Sequence, residues 1–185
     1  MTRIALSTAR LDLAEWEPGD ARGLRPIATD PEVMRHISGG VPWSDEQIQE
    51  FVQRQMRHAA ERGFCLWKLL LREHAMAGEV AGLCGLQPLP GTDEIEIGWW
   101  LARDQWGQGL ATEAARAALQ FAWETTRLTR IVAIARPENR ASRHVMEKLG
   151  MRYERDTVHK GIPVVLYSVE RGPEPAETSR PGQII

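Results

Sequence analysis

The 185 residues predict an α+β fold, a mixed and mostly antiparallel sheet with helices on both faces. Three observations carry that prediction. The strand-like segments "FCLWKLLL", "EVAGLCGL" and "EIEIGWWLA" follow one another across short Gly- and Pro-bearing turns, a spacing that suits antiparallel hairpins. A helix-length, alanine-rich segment then separates the last of them from the fully apolar "RIVAIA", so that return strand runs parallel by the right-handed crossover. The composition, 43% hydrophobic and 26% charged, is that of a chain that buries a core.

Each element has a local cause. In "ARLDLAEW", Leu11 and Leu13 alternate with polar neighbours as in a half-buried strand. Pro18, Gly19 and Asp20 stop it and open a short helix that ends near "ATDPEVMRHI", and "SGGVPW" is a loop. Ser44 with Gln47 three residues on forms a capping box. Ile48, Phe51, Val52, Met56 and Ala59 then recur at helical spacing until Gly63, giving a helix over Ser44–Arg62. A second long helix spans Gly109 to Thr126, with Leu110, Ala114, Ala118 and Phe121 on one side. "RIVAIA" has no polar face and is central, covered on both sides. "NRASRHVMEKLG" is a short helix ended by Gly150, and "MRYERDTV" and "PVVLYSVE" close the sheet. The domain is expected over residues 1–170, followed by a flexible Pro-, Gly- and Glu-rich tail, 171–185.

Several function classes are disfavoured. A net charge of −2 lacks the basic excess of a nucleic-acid binder. Cys65 and Cys84 sit in apolar runs without a CxxC, as buried free thiols of a reduced compartment do. His36, His58, His74, His144 and His159 do not cluster, so no metal is expected. No apolar run reaches membrane-spanning length and "MTRIALSTAR" lacks a signal-peptide core; the expectation is a cytoplasmic protein without a membrane partner.

The stretch "DQWGQGLAT" carries the chemistry. A helix start offers backbone N–H groups without helical partners together with the positive end of the macrodipole. Gly107 and Gly109 keep side chains out of the way, so the stretch is a candidate pyrophosphate cradle; the alternative is a tight strand-to-helix turn. It is not a Walker loop, having no lysine, and Thr112 stands where a dinucleotide fingerprint needs a third small residue.

"EIGWWLARDQWGQGLATEA" and "RIVAIARPENRASRHVMEKLGM", with the opening "ARLDLAEWEPGDA" and "DPEVMRHI", resemble the GNAT superfamily of N-acetyltransferases, in its RimJ/RimL-type branch. The resemblance covers the chain to about Glu170. It implies a sheet splayed between the fourth and fifth of the seven expected strands, with acetyl-CoA as cosubstrate in the gap. Carried over, Trp100, Leu101 and Ala102 give main-chain partners to pantetheine, and Gln105, Trp106, Gly107, Gln108, Gly109, Leu110, Ala111 and Thr112 hold the pyrophosphate. Asp104 departs from the family's usual Gln or Arg and is expected to point away from phosphate. Asn139 caps the following helix and, by the resemblance, also bonds the pantetheine arm; Arg143, with Arg140, lies where CoA phosphates pass or else on a solvated face.

For the chemistry, Glu96 resembles the acidic residue relatives hold on this strand and is the leading base, against the reading of a solvent-facing carboxylate. Met146 occupies the position where many relatives hold a tyrosine acid, and the RimL-type branch points instead to Ser142 as hydrogen-bond donor to the thiolate. Trp43, Trp99 and Trp106 are candidate walls for the acceptor. The implied reaction is direct attack of a primary amine, either a protein N-terminus or a small amine such as an antibiotic or polyamine, in a ternary complex; relatives include monomers and dimers, so a homodimer is open. Two rivals remain at this point: an acyl-CoA sensor of the same fold that has lost catalysis, and a nucleotide-binding domain of another fold.

Overall fold

The computed structural model describes residues 2–73 and 79–172. Its strands are β1 (Ile4–Ser7), β2 (Leu11–Ala14), β3 (Leu66–Leu71), β4 (Gly82–Pro88), β5 (Ile95–Leu101), β6 (Arg130–Ala135), β7 (Arg152–His159) and β8 (Ile162–Glu170). They form one sheet in the order β1-β2-β3-β4-β5-β6-β8-β7, antiparallel throughout except for the parallel pair β5 and β6. The helices are α1 (Ala21–Ala28), α2 (Pro31–Met34), α3 (Asp45–Arg62), α4 (Leu110–Thr125) and α5 (Arg140–Lys148). The expected mixed sheet is present, with one correction: β1 adds an eighth strand, so the parallel junction lies between the fifth and sixth strands. Four half-exposed residues at a sheet edge are too few to display a period, and β1 is defined by its pairing with β2 across a bulge. The single short helix expected after Asp20 is two, because Asp30 caps a new turn that starts at Pro31.

Side-chain alternation sorts the sheet into two covered faces. On β5, Trp100 stacks on Phe51 of α3 at 5.6 Å between ring centroids, and Trp43 meets both rings. On the opposite face Trp67 of β3 packs edge-on against Phe121 of α4 at 5.1 Å. The capping box at Ser44 and the left-handed Gly63 bound α3 as its sequence requires. β6 is covered on both sides: Ile131 and Ala133 join the main core, while Val132 packs with Leu89 and Leu166. Both cysteines are buried and free, and burial pushes their thiols up.

Two polar clusters fix the frame. Lys68 of β3, only 3% exposed, reaches Asp20 at 2.5 Å and Glu17 at 4.0 Å, pinning the turn before α1 to the sheet. Arg130 at the start of β6 bonds Glu94, just before β5, at 3.3 Å and Glu154 of β7 at 2.6 Å. It therefore ties the two halves of the sheet at the end where β5 and β6 still pair. That guanidinium, helped by the Ser168 hydroxyl, holds the Glu154 carboxyl down to about 2.

Removing Asp20 leaves the buried Lys68 ammonium dependent on the more distant Glu17 carboxylate. Asp20→Ala is expected to cost about 3 kcal/mol in urea unfolding, whereas the paired Lys68→Met/Asp20→Leu is expected to cost distinctly less. Equal losses for the two would show that the ion pair itself stabilises the fold.

Candidate active site

The site grows from the place where two parallel strands part. β5 and β6 share a single bridge, Glu96 opposite Val132, whereas β4 pairs with β5 along its length. The Ala102 N–H bonds the Ala81 carbonyl, so by the alternation of an antiparallel ladder the main chain of Trp100 faces β4 as well. A Cβ on Gly82 would indeed collide with the Trp100 carbonyl oxygen. The main-chain groups of Trp99 and Leu101 turn instead toward the gap beyond Val132. The Leu101 carbonyl accepts from the Trp106 indole N–H at 3.0 Å, which leaves Trp99 and the Leu101 N–H facing the gap. The residue type gave no clue to this: which residues of a strand turn inward depends on the register of the neighbouring pair.

At the end of β5 the chain makes a short turn over Arg103–Gln105 and enters α4. Gly107 and Gly109 both adopt left-handed φ, +74° and +78°, which an L side chain enters only under strain. No side chain caps α4, so the N–H groups that open it have no side-chain partner; a Cβ on Gly107 would meet nothing within 4 Å, and one on Gly109 would meet the Arg10 guanidinium at 3.7 Å. Leu110 of this segment is buried in the core, and Ala111 and Thr112 are half-buried in the first turn of α4. Gln105 and Gln108 lie in the turn itself, the Gln108 amide donating to the Asp104 carbonyl at 3.0 Å. Asp104 borders a different hollow, against Gly23 and Pro26 of α1.

The turn between β1 and β2 braces this cradle, a feature the sequence reading missed. Arg10 donates to the Gln108 carbonyl at 2.9 Å and forms an ion pair with Glu113, in the first turn of α4, at 2.6 Å. The Thr8 hydroxyl and the Arg10 N–H also bond Glu113, at 2.7 and 2.9 Å. The acidic residue in the first turn of α4 is thus neutralised and held against the β1–β2 turn. Glu113 is acidic at the start of a helix, an ordinary preference, and no local pattern links it to Arg10.

Glu96 stands at the parting point with its side chain on the α3 face. It is half-buried, and burial pushes its carboxyl up to about 7, against the lowering effects of the Gln87 hydrogen bond (2.6 Å) and the charge of Lys160 in the β7–β8 turn. A carboxyl in that range exchanges a proton near neutrality, as a general base must. Gly98, next on the same face, puts no side chain between Glu96 and Trp100, and a Cβ there would lie 3.6 Å from the Leu66 side chain of β3. Of the three candidate acceptor walls, Trp43 joins Trp100 and Phe51 on this face. Trp99 packs on the opposite face and Trp106 is 46% exposed over the cradle turn, so the three do not form one cleft.

Beyond β6, Asn139 caps α5 by accepting from the Ser142 N–H at 3.1 Å. Ser142 is half-buried in the first turn of α5, and its hydroxyl makes no hydrogen bond with the described residues. Arg143 is tied to the Tyr167 hydroxyl (3.4 Å) and the Pro137 carbonyl (3.2 Å), whereas Arg140 is exposed. Met146 is a core residue, 1% exposed, on the buried side of α5. Among the described residues no group of three or more His, Cys, Asp or Glu could hold a metal ion, and no helix is long and apolar enough to cross a membrane.

Residues 10–152 match the model of the Acetyltransferase (GNAT) domain family. The uncharacterized protein YkkB of Bacillus subtilis (strain 168) is 34% identical over 88% of this chain and 93% of its own length. The FsC-acetyl coenzyme A-N(2)-transacetylase of Aspergillus fumigatus is 31% identical over 90% of this chain and 76% of its own. Among solved structures, a GNAT-family acetyltransferase from Bacillus anthracis superposes with a TM-score of 0.74 at 27% identity, covering 92% of this chain and 98% of that one. RimL, the ribosomal L7/L12 alpha-N-protein acetyltransferase in complex with coenzyme A, shares the fold, with a TM-score of 0.73 at 18% identity over 91% of this chain and 98% of its own.

The cradle conformation is testable by substitution. Gly109→Ala is expected to lose about 1–2 kcal/mol of stability to left-handed strain, while Gly19→Ala, with open space and no left-handed φ, is expected to lose nothing. Equal unfolding midpoints for the two variants would contradict the assigned backbone.

Proposed function

The chain belongs to the GNAT acetyltransferase family and is an acetyl-CoA-dependent N-acetyltransferase; from that premise we propose that it joins donor and amine acceptor in a ternary complex at the β5–β6 gap, with Glu96 as base. The residues fit the donor: an uncapped helix start behind two left-handed glycines suits a diphosphate, and strand groups facing an open gap suit an amide-bearing arm. Acetyl-CoA supplies the acetyl group as a thioester.

The first-turn N–H groups of α4, with residues 105–109 before them, hold the diphosphate, and Arg10 keeps their loop in shape. Trp99 and the Leu101 N–H pair with the arm as a neighbouring strand would. This revises the expected trio, since the main chain of Trp100 and Ala102 serves β4. The Asn139 amide retains donors beyond its capping bond and faces the arm from α5. Glu96 takes the proton that the amine loses as it forms its bond to the acetyl carbon. The Ser142 hydroxyl donates to the departing sulfur, a role Met146 in the core does not fill. The enzymatic names of the relatives argue against the sensor reading.

The acceptor is a primary amine. An α-amine, with a reference pKa of about 7.7–8.0, is already partly neutral near pH 7 and needs little more than a base of the Glu96 kind, whereas a lysine near about 10.4 needs far more. RimL acts on a ribosomal protein's α-amine and an Escherichia coli relative on spermidine, so protein N-termini and polyamines are the two classes to assay. The single observation that carries the reading is Glu96 at the one bridge from which the two parallel strands diverge.

With an accepted amine, Glu96→Gln is expected to lower kcat by about 10²–10⁴-fold at unchanged acetyl-CoA affinity. Because the base works only as its carboxylate, the wild-type rate is expected to rise with pH through about 7; that limb is expected to vanish in the variant, which keeps only the rise set by the acceptor amine's own deprotonation. Ser142→Ala is expected to lower kcat by about 10²-fold; a rate unchanged by both substitutions would remove both assignments.

A further inference from the structure

Gln55 stands on the apolar stripe of α3, one turn from Phe51 and Val52, and is fully buried. A glutamine in that place forfeits apolar burial and obliges the core to satisfy its amide. The amide is satisfied in one direction only. The Leu66 N–H of β3 donates to Gln55 Oε1 at 2.9 Å, Gln55 Nε2 donates to Gln87 Oε1 of β4 at 3.1 Å, and Gln87 Nε2 donates to Glu96 Oε1 of β5 at 2.6 Å. A main-chain N–H can only donate, so Gln55 must present its oxygen to Leu66 and its nitrogen to Gln87. The same logic makes Gln87 present its nitrogen to Glu96.

We propose that Gln55 and Gln87 are positioning residues for the acetyl-transfer base: a one-way amide relay, anchored on the β3 main chain, that fixes one oxygen of Glu96 with a donor and leaves the other to take the proton. The proposal rests on the assignment of Glu96 as base. A relay set by a main-chain group keeps its direction in both protonation states of Glu96, because neither glutamine titrates. It favours the carboxylate against the cost of burial and keeps the carboxyl on the α3 face, beside Gly98. The other neighbours of Glu96 do not duplicate this. Lys160 acts from the β7–β8 turn through its charge alone, Val132 across the bridge is apolar, and Glu94, two residues back on the same face, is engaged by Arg130.

The test reads the carboxyl directly and needs no acceptor. In 13C-labelled full-length protein, the Glu96 carboxyl signal is identified by its absence from Glu96→Gln and titrated by NMR. Removing the donor in Gln87→Leu, at a half-buried site, is expected to raise the midpoint by at least about half a unit. Gln55→Leu is expected to raise it in the same direction by less, with Gln55→Met in its place if leucine weakens the fold. The double variant is expected to match Gln87→Leu alone, because Gln55 acts through Gln87. A midpoint unmoved by Gln87→Leu, or a Gln55 effect that adds to it, would overturn the relay. Glu96→Gln activity separates the two claims. Shifted midpoints with an active Glu96→Gln enzyme keep the relay and remove the base, while fixed midpoints with an inactive one do the reverse.

Discussion

A strand that leaves its neighbour turns main-chain donors and acceptors toward empty space, and buried groups of that kind need partners. That constraint organises this protein. β5 is fully engaged with β4 on one edge and with β6 at a single bridge on the other, so half of its hydrogen-bonding edge faces a wedge. On the proposed reading, an extended ligand with amide groups would complete the edge as a strand does, and its diphosphate would meet the start of α4.

The rest of the structure keeps the wedge open and equipped. Arg130 clamps the closed end through Glu94 and Glu154, and the β1–β2 turn clamps the α4 start through Arg10 and Glu113. The apolar faces do the remainder: α3 brings the Trp43, Phe51 and Trp100 rings to the face that carries Glu96, and α4 and α5 cover the other. Glu96 sits where these constraints meet, at the apex of the wedge, with burial raising its proton affinity and the Gln87 amide and the Lys160 charge opposing it. The proposed role as base, accepting a proton near neutral pH, draws on that balance.

Much of this was legible in the chain. Period-2 alternation in β2 and β5, the Ser44–Gln47 capping box and the glycine pair before α4 are local signals, and local signals survive in sequence. The glycine pair marked the turn into α4 because left-handed backbone tolerates few other residues. What was not legible is relational. Whether Trp99 or Trp100 faces the gap is decided by register with β4, Arg10 and Glu113 meet across 103 residues, and β1 exists through its partner. Gln55 did leave a trace, as a polar residue at an apolar helical position, but its meaning needs Gln87 and Glu96 beside it. The three tryptophans read as one wall separate because alternation puts Trp99 and Trp100 on opposite faces.

The central claim is that main-chain groups at the start of α4 grip a diphosphate while the β5 edge holds the arm. Isothermal titration of the full-length protein with coenzyme A and, separately, with pantetheine, which lacks the diphosphate, tests it most directly. The account predicts saturable binding of coenzyme A at least about 100-fold tighter than pantetheine, a difference of about 2.7 kcal/mol. Equal affinity for the two, or no heat from coenzyme A, would contradict it.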